Sequence, residues 1–162
     1  MAIYLLLTTI NGPVTQTGFS NQIELTAASF AATRVIPQQT KNLANRHLDE
    51  VELSYMNISK AWDADSSGGL FQSICKGTMD LTATLSFTSQ ATSGPLTYLT
   101  IKLSNVGLAN YALDGDGGAG LPRESITLSY TKIEITPYTA GSNSTPVKGA
   151  VVQFDLSTGV AS

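Results

Sequence analysis

Apolar and polar residues alternate with a period of two along much of this chain, and that period constrains the fold more than any other feature. The clearest example is the stretch TMDLTATLSF, residues 78–87. Successive side chains of a β-strand point to opposite faces of the sheet, so residues two apart share a face. The stretch therefore predicts a strand with one apolar and one polar face, formed by Met79, Leu81, Ala83, Leu85 and Phe87 and by Asp80, Thr82, Thr84 and Ser86.

Other segments carry the same strand signals: AIYLLLTTI, which ends at a tight turn Asn11–Pro13, QIELTAASF, LDEVELSYMNI, LTYLTIKLSNVGL and AVVQFDL. Two of them are expected to bury alternate side chains, namely Val51, Leu53 and Tyr55, and Val152, Phe154 and Leu156. About seven strands separated by turn residues are typical of an all-β barrel or sandwich. We expect a single domain over residues 1–162.

Only DADSSGGLFQSICKG, residues 63–77, favours a helix. Asp65 or Ser66 is placed to cap its start, Asp63 to cap the turn leading into it, and Gly77 to end it. Its predicted apolar face consists of Leu70, Phe71 and Ile74. The pair Gly68 and Gly69 weakens it by about 1 kcal/mol per glycine, so we expect a short helix.

The segment ESITLSYTKIEI, residues 124–135, resembles one long strand whose alternation slips near the middle. Ile126, Leu128 and Tyr130 are two apart, but Lys132 then takes an apolar position and the apolar residues resume at Ile133. A β-bulge would produce this slip, and so would an edge strand whose second half packs on another subunit. The sequence does not separate the two.

Charge is sparse, which limits the possible partners. Charged residues make up 13% of the chain, against about 25% in typical domains. The net charge of −3 and the scattered Lys and Arg residues disfavour nucleic acid and membrane surfaces. No segment reaches the ~20 apolar residues of a membrane span, and the N-terminus lacks a charged signal-peptide region. We therefore expect synthesis in the cytoplasm and no signal-dependent export.

The residue types needed for catalysis are thinly represented. The only histidine, His47, has no nucleophile context, and the single cysteine, Cys75, supports neither a disulfide nor a Cys-rich metal site. The loop from Asp114 to Gly120 resembles the first half of a calcium loop but lacks the ligands expected at its fifth and twelfth positions. We predict no enzyme, catalytic residue, metal or cofactor, and expect Trp62 to be a core or interface anchor. Hydroxyl-rich strand faces favour instead a lumen wall or a subunit contact.

Several motifs together resemble the hemolysin-coregulated protein (Hcp) family of bacterial type VI secretion systems. They are VELSYMNIS, the Lys60-Ala61-Trp62-Asp63 turn into the helix, TMDLTATLSF, the strand Tyr98–Leu103, the loop DGDGGAGLP and, most specifically, ESITLSYTKIE. The chain departs from the family at the start of the helix, where Ser67-Gly68-Gly69-Leu70 replaces Ser-Pro-Leu.

The resemblance implies a small antiparallel β-barrel of two packed sheets with one short flanking α-helix. It also implies hexameric rings that stack into a tube, which a contractile sheath propels out of the cell without a signal peptide. The implied partners are copies of the chain, the spike and sheath proteins, and effector proteins carried and chaperoned in the lumen. Nucleic acid and membrane insertion are not implied.

These considerations place candidate residues on the assembly surfaces. We expect Glu124, Lys132 and Glu134 near ring or closing-strand contacts, and Asp114, Gly115, Asp116 and Gly117 on a rim. Asp63 and Asp65 are the predicted helix caps, and Leu85, Phe87 and Leu128 are predicted core positions. The alternatives are a monomeric β-sandwich that binds carbohydrate or an apolar ligand, a jelly-roll hydrolase, and a phage-like tail tube protein.

Overall fold

A computed structural model describes residues 1–36, 50–91, 94–118, 120–140 and 145–162. In these residues it contains thirteen strands and one helix. They are β1 (Ala2–Leu7), β2 (Ile23–Leu25), β3 (Ala27–Ser29), β4 (Ala32–Thr33), β5 (Glu52–Leu53), β6 (Met56–Ala61), α1 (Ser67–Lys76), β7 (Leu81–Ala91), β8 (Gly94–Asp114), β9 (Arg123–Ser129), β10 (Lys132–Ala140), β11 (Pro146–Lys148), β12 (Val152–Asp155) and β13 (Val160–Ala161). The predicted class, mainly antiparallel β with one short helix, is confirmed.

Eleven strands form one sheet, which has two arms that share strand β8. The first arm has the order β13-β12-β10-β8-β7-β1-β2, and β11 pairs with the far end of β10. The second arm runs from β8 through β9 and β6 to β3. The short strands β4 and β5 pair separately. Every pairing is antiparallel, as hairpin-connected strands allow.

Strand β8 belongs to both arms because it is 21 residues long and changes partners near its middle. Its residues Leu99–Ser104 pair with β10, and Gly107–Asp114 pair with β9. Asn105, between these ranges, has a left-handed backbone with φ of 51°. Asparagine tolerates that conformation better than most residues do, so the strand can turn there from one arm to the other.

The slipped segment ESITLSYTKIEI is two strands, so its prediction as one long strand is wrong. Strand β9 pairs in the second arm and β10 in the first, and the chain changes arms at Tyr130 and Thr131. Tyr130 donates its hydroxyl to the Ser54 carbonyl at 2.8 Å, and the Thr131 N–H donates to the Ser104 carbonyl at 3.1 Å. The slip in alternation therefore marks a change of arm, and not a bulge within one strand.

The core lies between the two arms and α1. Strands β1, β7 and β8 contribute Leu5, Leu85 and Leu103, β6 and β9 contribute Ile58 and Leu128, and the helix contributes Leu70, all buried. Within β7 the predicted set Leu81, Ala83 and Leu85 is buried and Phe87 packs against its edge, which confirms that alternation. In β7 the period of two therefore predicts the inward positions correctly.

Several predicted apolar positions are exposed. Met79 is 66% exposed because β7 begins only at Leu81, and Phe71 is 56% exposed on the outer side of α1. In the segment before the helix the buried set is Met56, Ile58 and Lys60, out of phase with the exposed Tyr55. Val152 and Leu156 are also exposed, at the sheet edge. These predictions are wrong for different reasons. Tyr55, Met79 and Leu156 lie outside the strands. Phe71 is on the outer side of α1, and Val152 lies near an edge of the sheet.

The chain between β1 and β2 is not a tight reversal at Asn11–Pro13. It is a longer loop over residues 8–22, closed by a 2.9 Å hydrogen bond from the Gly12 N–H to the Asn21 carbonyl. A Cβ atom on Gly12 would lie only 2.3 Å from the Gln22 carbonyl oxygen. The glycine is therefore needed for the close approach of two loop segments.

Candidate functional site

Five polar side chains meet inside the second arm, where α1 begins. We call them the ionic cluster: Lys60 of β6, Glu124 of β9, Tyr111 of β8, Asp63 of the turn before the helix and Ser67 of α1. Lys60 is 1% exposed and Glu124 is 0% exposed. They lie directly opposite each other in the β6–β9 ladder, so their side chains share the inward face.

Glu124 accepts hydrogen bonds from all three elements packed around it. Oε2 accepts from the Lys60 ammonium and from the Ser67 hydroxyl, the latter at 2.8 Å, and Oε1 accepts from the Tyr111 hydroxyl. Lys60 also lies 2.7 Å from Asp63 Oδ2 and donates to Ser67 Oγ at 3.1 Å. The ring of Tyr111 is 5.7 Å from that of Phe71 on α1. The cluster thus ties three strands and the helix together.

The cluster holds one positive and two negative charges. Its two carboxylates accept hydrogen bonds from hydroxyl groups and backbone N–H groups as well as from Lys60. Burial alone would raise the pKa of Asp63, but hydrogen bonds from Lys60 and Ser66 outweigh it and hold this pKa below its usual value. Burial, and then the hydrogen bond to the Glu124 carboxylate, raise the pKa of Tyr111 to about 12. Lys60, Ser67 and Glu124 are shielded from solvent, so the cluster joins elements of the fold and offers no substrate access to these groups.

Sequence reasoning missed this cluster, although a signal for it exists. Lys60 continues the inward series Met56, Ile58 on β6, and Glu124 precedes the inward series Ile126, Leu128 on β9. A lysine and a glutamate, each in phase with the buried residues of its strand, indicate a buried ion pair if the strands are neighbours. The Lys60-Ala61-Trp62-Asp63 turn noted in the sequence supplies the second carboxylate.

The helix caps are partly as predicted. Asp63 accepts the N–H groups of Asp65 at 3.0 Å and Ser66 at 2.6 Å, at the turn that leads into α1. The N-cap position is Ser66, whose own side chain makes no capping hydrogen bond. Asp65 therefore takes part through its backbone N–H, and its prediction as a capping side chain is corrected. Gly77 ends the helix with φ of 67°, as predicted.

The predicted interface residues lie in three different environments. The side chain of Glu124 is enclosed within one chain, so its predicted contact with a neighbouring copy is corrected. Lys132 and Glu134 lie on β10, partly exposed, with Lys132 Nζ 3.5 Å from Glu134 Oε1. Asp114, Gly115, Asp116 and Gly117 are exposed at and after the end of β8, where Asp116 accepts the Gly118 N–H at 2.8 Å. The structure therefore does not bring these residues into one site.

A polar face covers the outer side of the first arm. We call it the hydroxyl face; its cross-strand rows are Tyr4–Ser86–Thr100–Thr136, Leu6–Thr84–Lys102–Glu134–Gln153 and Ser104–Lys132–Asp155. Its lysines lie near carboxylates, since Lys102 is 3.8 Å and Lys132 3.5 Å from Glu134. The face is therefore broad, rich in hydroxyls and nearly neutral. The opposite face of the same arm packs on the core.

His47 and Trp62 are the remaining residues that the sequence analysis singled out. His47 lies outside the described residues. Trp62 is 41% exposed, beside the ionic cluster, and its backbone N–H donates to the Pro122 carbonyl at 2.8 Å. Within the described ranges no three His, Cys, Asp or Glu side chains are grouped as a metal site would need. The helix found in those ranges is too short to cross a membrane.

Comparison with known proteins identifies similar sequences and folds. The model of a family described as "Type VI secretion system effector, Hcp" matches residues 4–136. No curated protein sequence matches the chain.

Three of the similar solved structures show the same fold across nearly their whole length. A type six secretion system protein aligns with a TM-score of 0.88 at 18% identity, covering 99% of both chains. Hcp1 from Salmonella typhimurium aligns with a TM-score of 0.76 at 17% identity, covering 100% of both. A type VI secretion system effector from Yersinia pestis aligns with a TM-score of 0.67 at 19% identity, covering 94% of this chain and 98% of that one.

Proposed function

Because the chain belongs to the Hcp family of type VI secretion systems, we propose that it is a subunit of the secreted tube. In this proposal six copies form a ring, rings stack into the tube, and effector proteins travel in the lumen. The observation that carries the proposal is the family match over residues 4–136, which includes the helix and strands from both arms of the sheet.

The hydroxyl face supports a lumen role. A wall along which other proteins pass should be wetted, broad and free of apolar patches or a strong net charge, because those features would hold the cargo in place. The hydroxyl face has threonines and serines in its rows and pairs its lysines with Glu134. We assign it to the lumen, with Lys132 and Glu134 near the edge where the wall passes from one copy to the next.

We also infer that the two arms close into the predicted barrel. The pairings form two series that both start at β8, namely β8-β7-β1-β2 and β8-β9-β6-β3. Strands β2 and β3 are separated only by Thr26, whose N–H and hydroxyl both donate to the Ser59 carbonyl, at 2.8 and 3.0 Å. A strand that bends at Thr26, as β8 does at Asn105, would join the two series into a circuit.

The proposed partners follow from the tube function. They are further copies of the chain, the spike and sheath proteins of the secretion machine, and effector proteins in the lumen. Export would occur with the tube. The exposed loop of Asp114, Gly115, Asp116 and Gly117 is proposed to lie on a rim of the ring.

The mass of the purified protein in solution tests the proposal. Light scattering behind size-exclusion chromatography is expected to give six times 17.0 kDa, and electron microscopy to show a ring with a central pore. A monomer that persists at high concentration would contradict the tube function and favour the carbohydrate-binding β-sandwich. Rings would not separate this function from that of a phage-like tail tube, so secretion that depends on an intact type VI machine is the second test.

A further inference from the structure

A groove of about 550 Å³ lies between β5 and the turn that joins β12 to β13. Its lining is mixed, with polar residues and four apolar ones, Val51, Leu53, Phe154 and Leu156, which we call the apolar floor. Leu53 and Phe154 are partly buried against the main core, whereas Leu156 is exposed. An apolar floor that stays open to solvent in one copy gains free energy when another surface covers it.

The strands beside the groove have unused backbone edges. In the part of the chain that the structure describes, β5 pairs only with β4, and β13 pairs only with β12. Unpaired N–H and C=O groups at a sheet edge form a template for a further strand. An extended segment in the groove could therefore make backbone hydrogen bonds as well as apolar contacts.

The charges at the groove favour a cationic occupant. Arg34, Glu50 and Glu52 line it and are exposed, and together they carry a net charge of −1. An apolar strand with a basic residue would satisfy both the floor and the excess carboxylate.

Strand β11, Pro146–Lys148, is such a segment. All three of its residues are exposed, with Val147 at 52%, and in the described residues the strand pairs only with β10. Of the other described cations, Lys60 is buried, Lys102 and Lys132 lie beside Glu134, and Arg34 lines the groove itself. Lys76 lies on the helix, and Arg123 lies on β9, which is already paired on both sides. Strand β11 thus combines a free edge, an exposed valine and an exposed lysine.

We propose that the groove between β5 and the β12–β13 turn receives strand β11 of a neighbouring copy, with Val147 on the apolar floor and Lys148 beside Glu50 and Glu52. The groove and β11 lie toward opposite ends of β10, since Phe154 pairs with Ile133 and Lys148 with Tyr138. Each copy would therefore give its strand to one neighbour and its groove to another, which is a head-to-tail contact. This inference rests on the proposed self-assembly and names the surfaces that mediate it.

Cross-linking tests the pairing directly. Two variants, E52C/C75S and a tagged V147C/C75S, are co-expressed and treated with a short bis-maleimide. A mixed dimer of twice 17.0 kDa plus the tag is expected. The wild-type chain, whose only cysteine is the exposed Cys75, replaces V147C/C75S as the control and should give no comparable mixed product. Cross-links only between like variants, or at the level of the control, would overturn the inference.

A charge exchange tests the electrostatic part. K148E and E50K/E52K are each expected to lose oligomer at a concentration where the wild type is assembled, and the combined variant to regain it. K76E, at the exposed end of α1, is the matched control and should not change the mass. Assembly unaffected by K148E, or not regained in the combined variant, would contradict the contact.

A monomeric wild type would defeat the proposed function, whereas an oligomeric wild type without the mixed cross-link would defeat only this inference.

Discussion

Lys60 and Glu124 show that the surroundings of a charged residue decide whether its side chain can be buried. Both have charged side chains that are rarely enclosed, yet each occupies an inward position of its strand. Removing a charge from water is costly unless an opposite charge and hydrogen bonds replace the water, and Asp63, Ser67 and Tyr111 supply these contacts.

We predict that removing one member of the pair is more harmful than removing both. E124A and K60M should each lower the free energy of unfolding by about 3–5 kcal/mol, because one buried charge loses its buried partner. In E124A, Lys60 keeps only the partly exposed Asp63 as an ion-pair partner. The double variant K60M/E124L leaves no lone charge of the pair and should lose less than either single variant. Urea unfolding of all three variants measures this.

Lys102 and Glu134, 3.8 Å apart and both accessible to solvent, are the control pair, and E134Q should cost less than about 1 kcal/mol. A double variant whose loss equals the sum of the two single losses would contradict the coupling of Lys60 with Glu124.

Asp63 gives the fold a predictable acid sensitivity. Its pKa is lowered in the folded chain, so its ionised form contributes stability above the unfolded value of about 4. That contribution is lost as the pH falls through the lower folded pKa, because the carboxyl then takes up a proton. The stability difference between wild type and D63N should therefore shrink from pH 7 to pH 3 in denaturant titrations. An unchanged difference would show that Asp63 does not act through its charge.

At the scale of the element, two glycines of the helix region should respond in opposite ways to alanine. Gly68 lies within α1 with open space where the methyl group of an alanine would lie, so G68A should stabilise the protein by about 0.5–1 kcal/mol. Gly77 also has open space but a φ of 67°, so G77A should cost about 1–2 kcal/mol. Thermal unfolding of both variants measures the difference. Two changes of the same sign would contradict the backbone explanation.

The inward-facing residues of a strand could be predicted from the local alternation of apolar and polar residues. Strand boundaries that depend on which strands pair could not. In β7 the inward residues follow directly from the period of two. The boundary between β9 and β10 does not, because a slip in alternation is compatible with a bulge, an edge or a change of arm. Only the pairing partners distinguish these cases: β9 pairs with β6 and β8, whereas β10 pairs with β8 and β12.

For the whole molecule, the shared strand β8 should make unfolding cooperative. L85A creates a cavity in the first arm and should cost about 2–5 kcal/mol. Trp62, the only tryptophan, lies beside the second arm and reports on it by fluorescence. We expect the Trp62 fluorescence midpoint in urea to move with the circular-dichroism midpoint in L85A. A fluorescence midpoint that stays at the wild-type value would show that the arms unfold independently.

The sequence could predict the family at this scale, but not the ionic cluster or the docking groove. The ESITLSYTKIE motif is contiguous, so it can be recognised without a structure. The cluster joins residue 60 to residue 124, and the groove joins residues near 34, 52 and 156, so both depend on which strands become neighbours. Sequence reasoning consequently places Glu124 near ring or closing-strand contacts and does not reveal its partner Lys60 in the same chain.

The length of β8 has a mechanical consequence. At about 3.3 Å per residue, its 21 residues follow a path of about 70 Å through both arms. A force along that path acts in shear on the hydrogen bonds between β8 and the strands on both sides of it. These bonds then carry the force together and do not open one after another. Strand β8 thus connects the two arms mechanically. When the subunit is pushed from one end, we expect the force to reach the other end without separating the two arms.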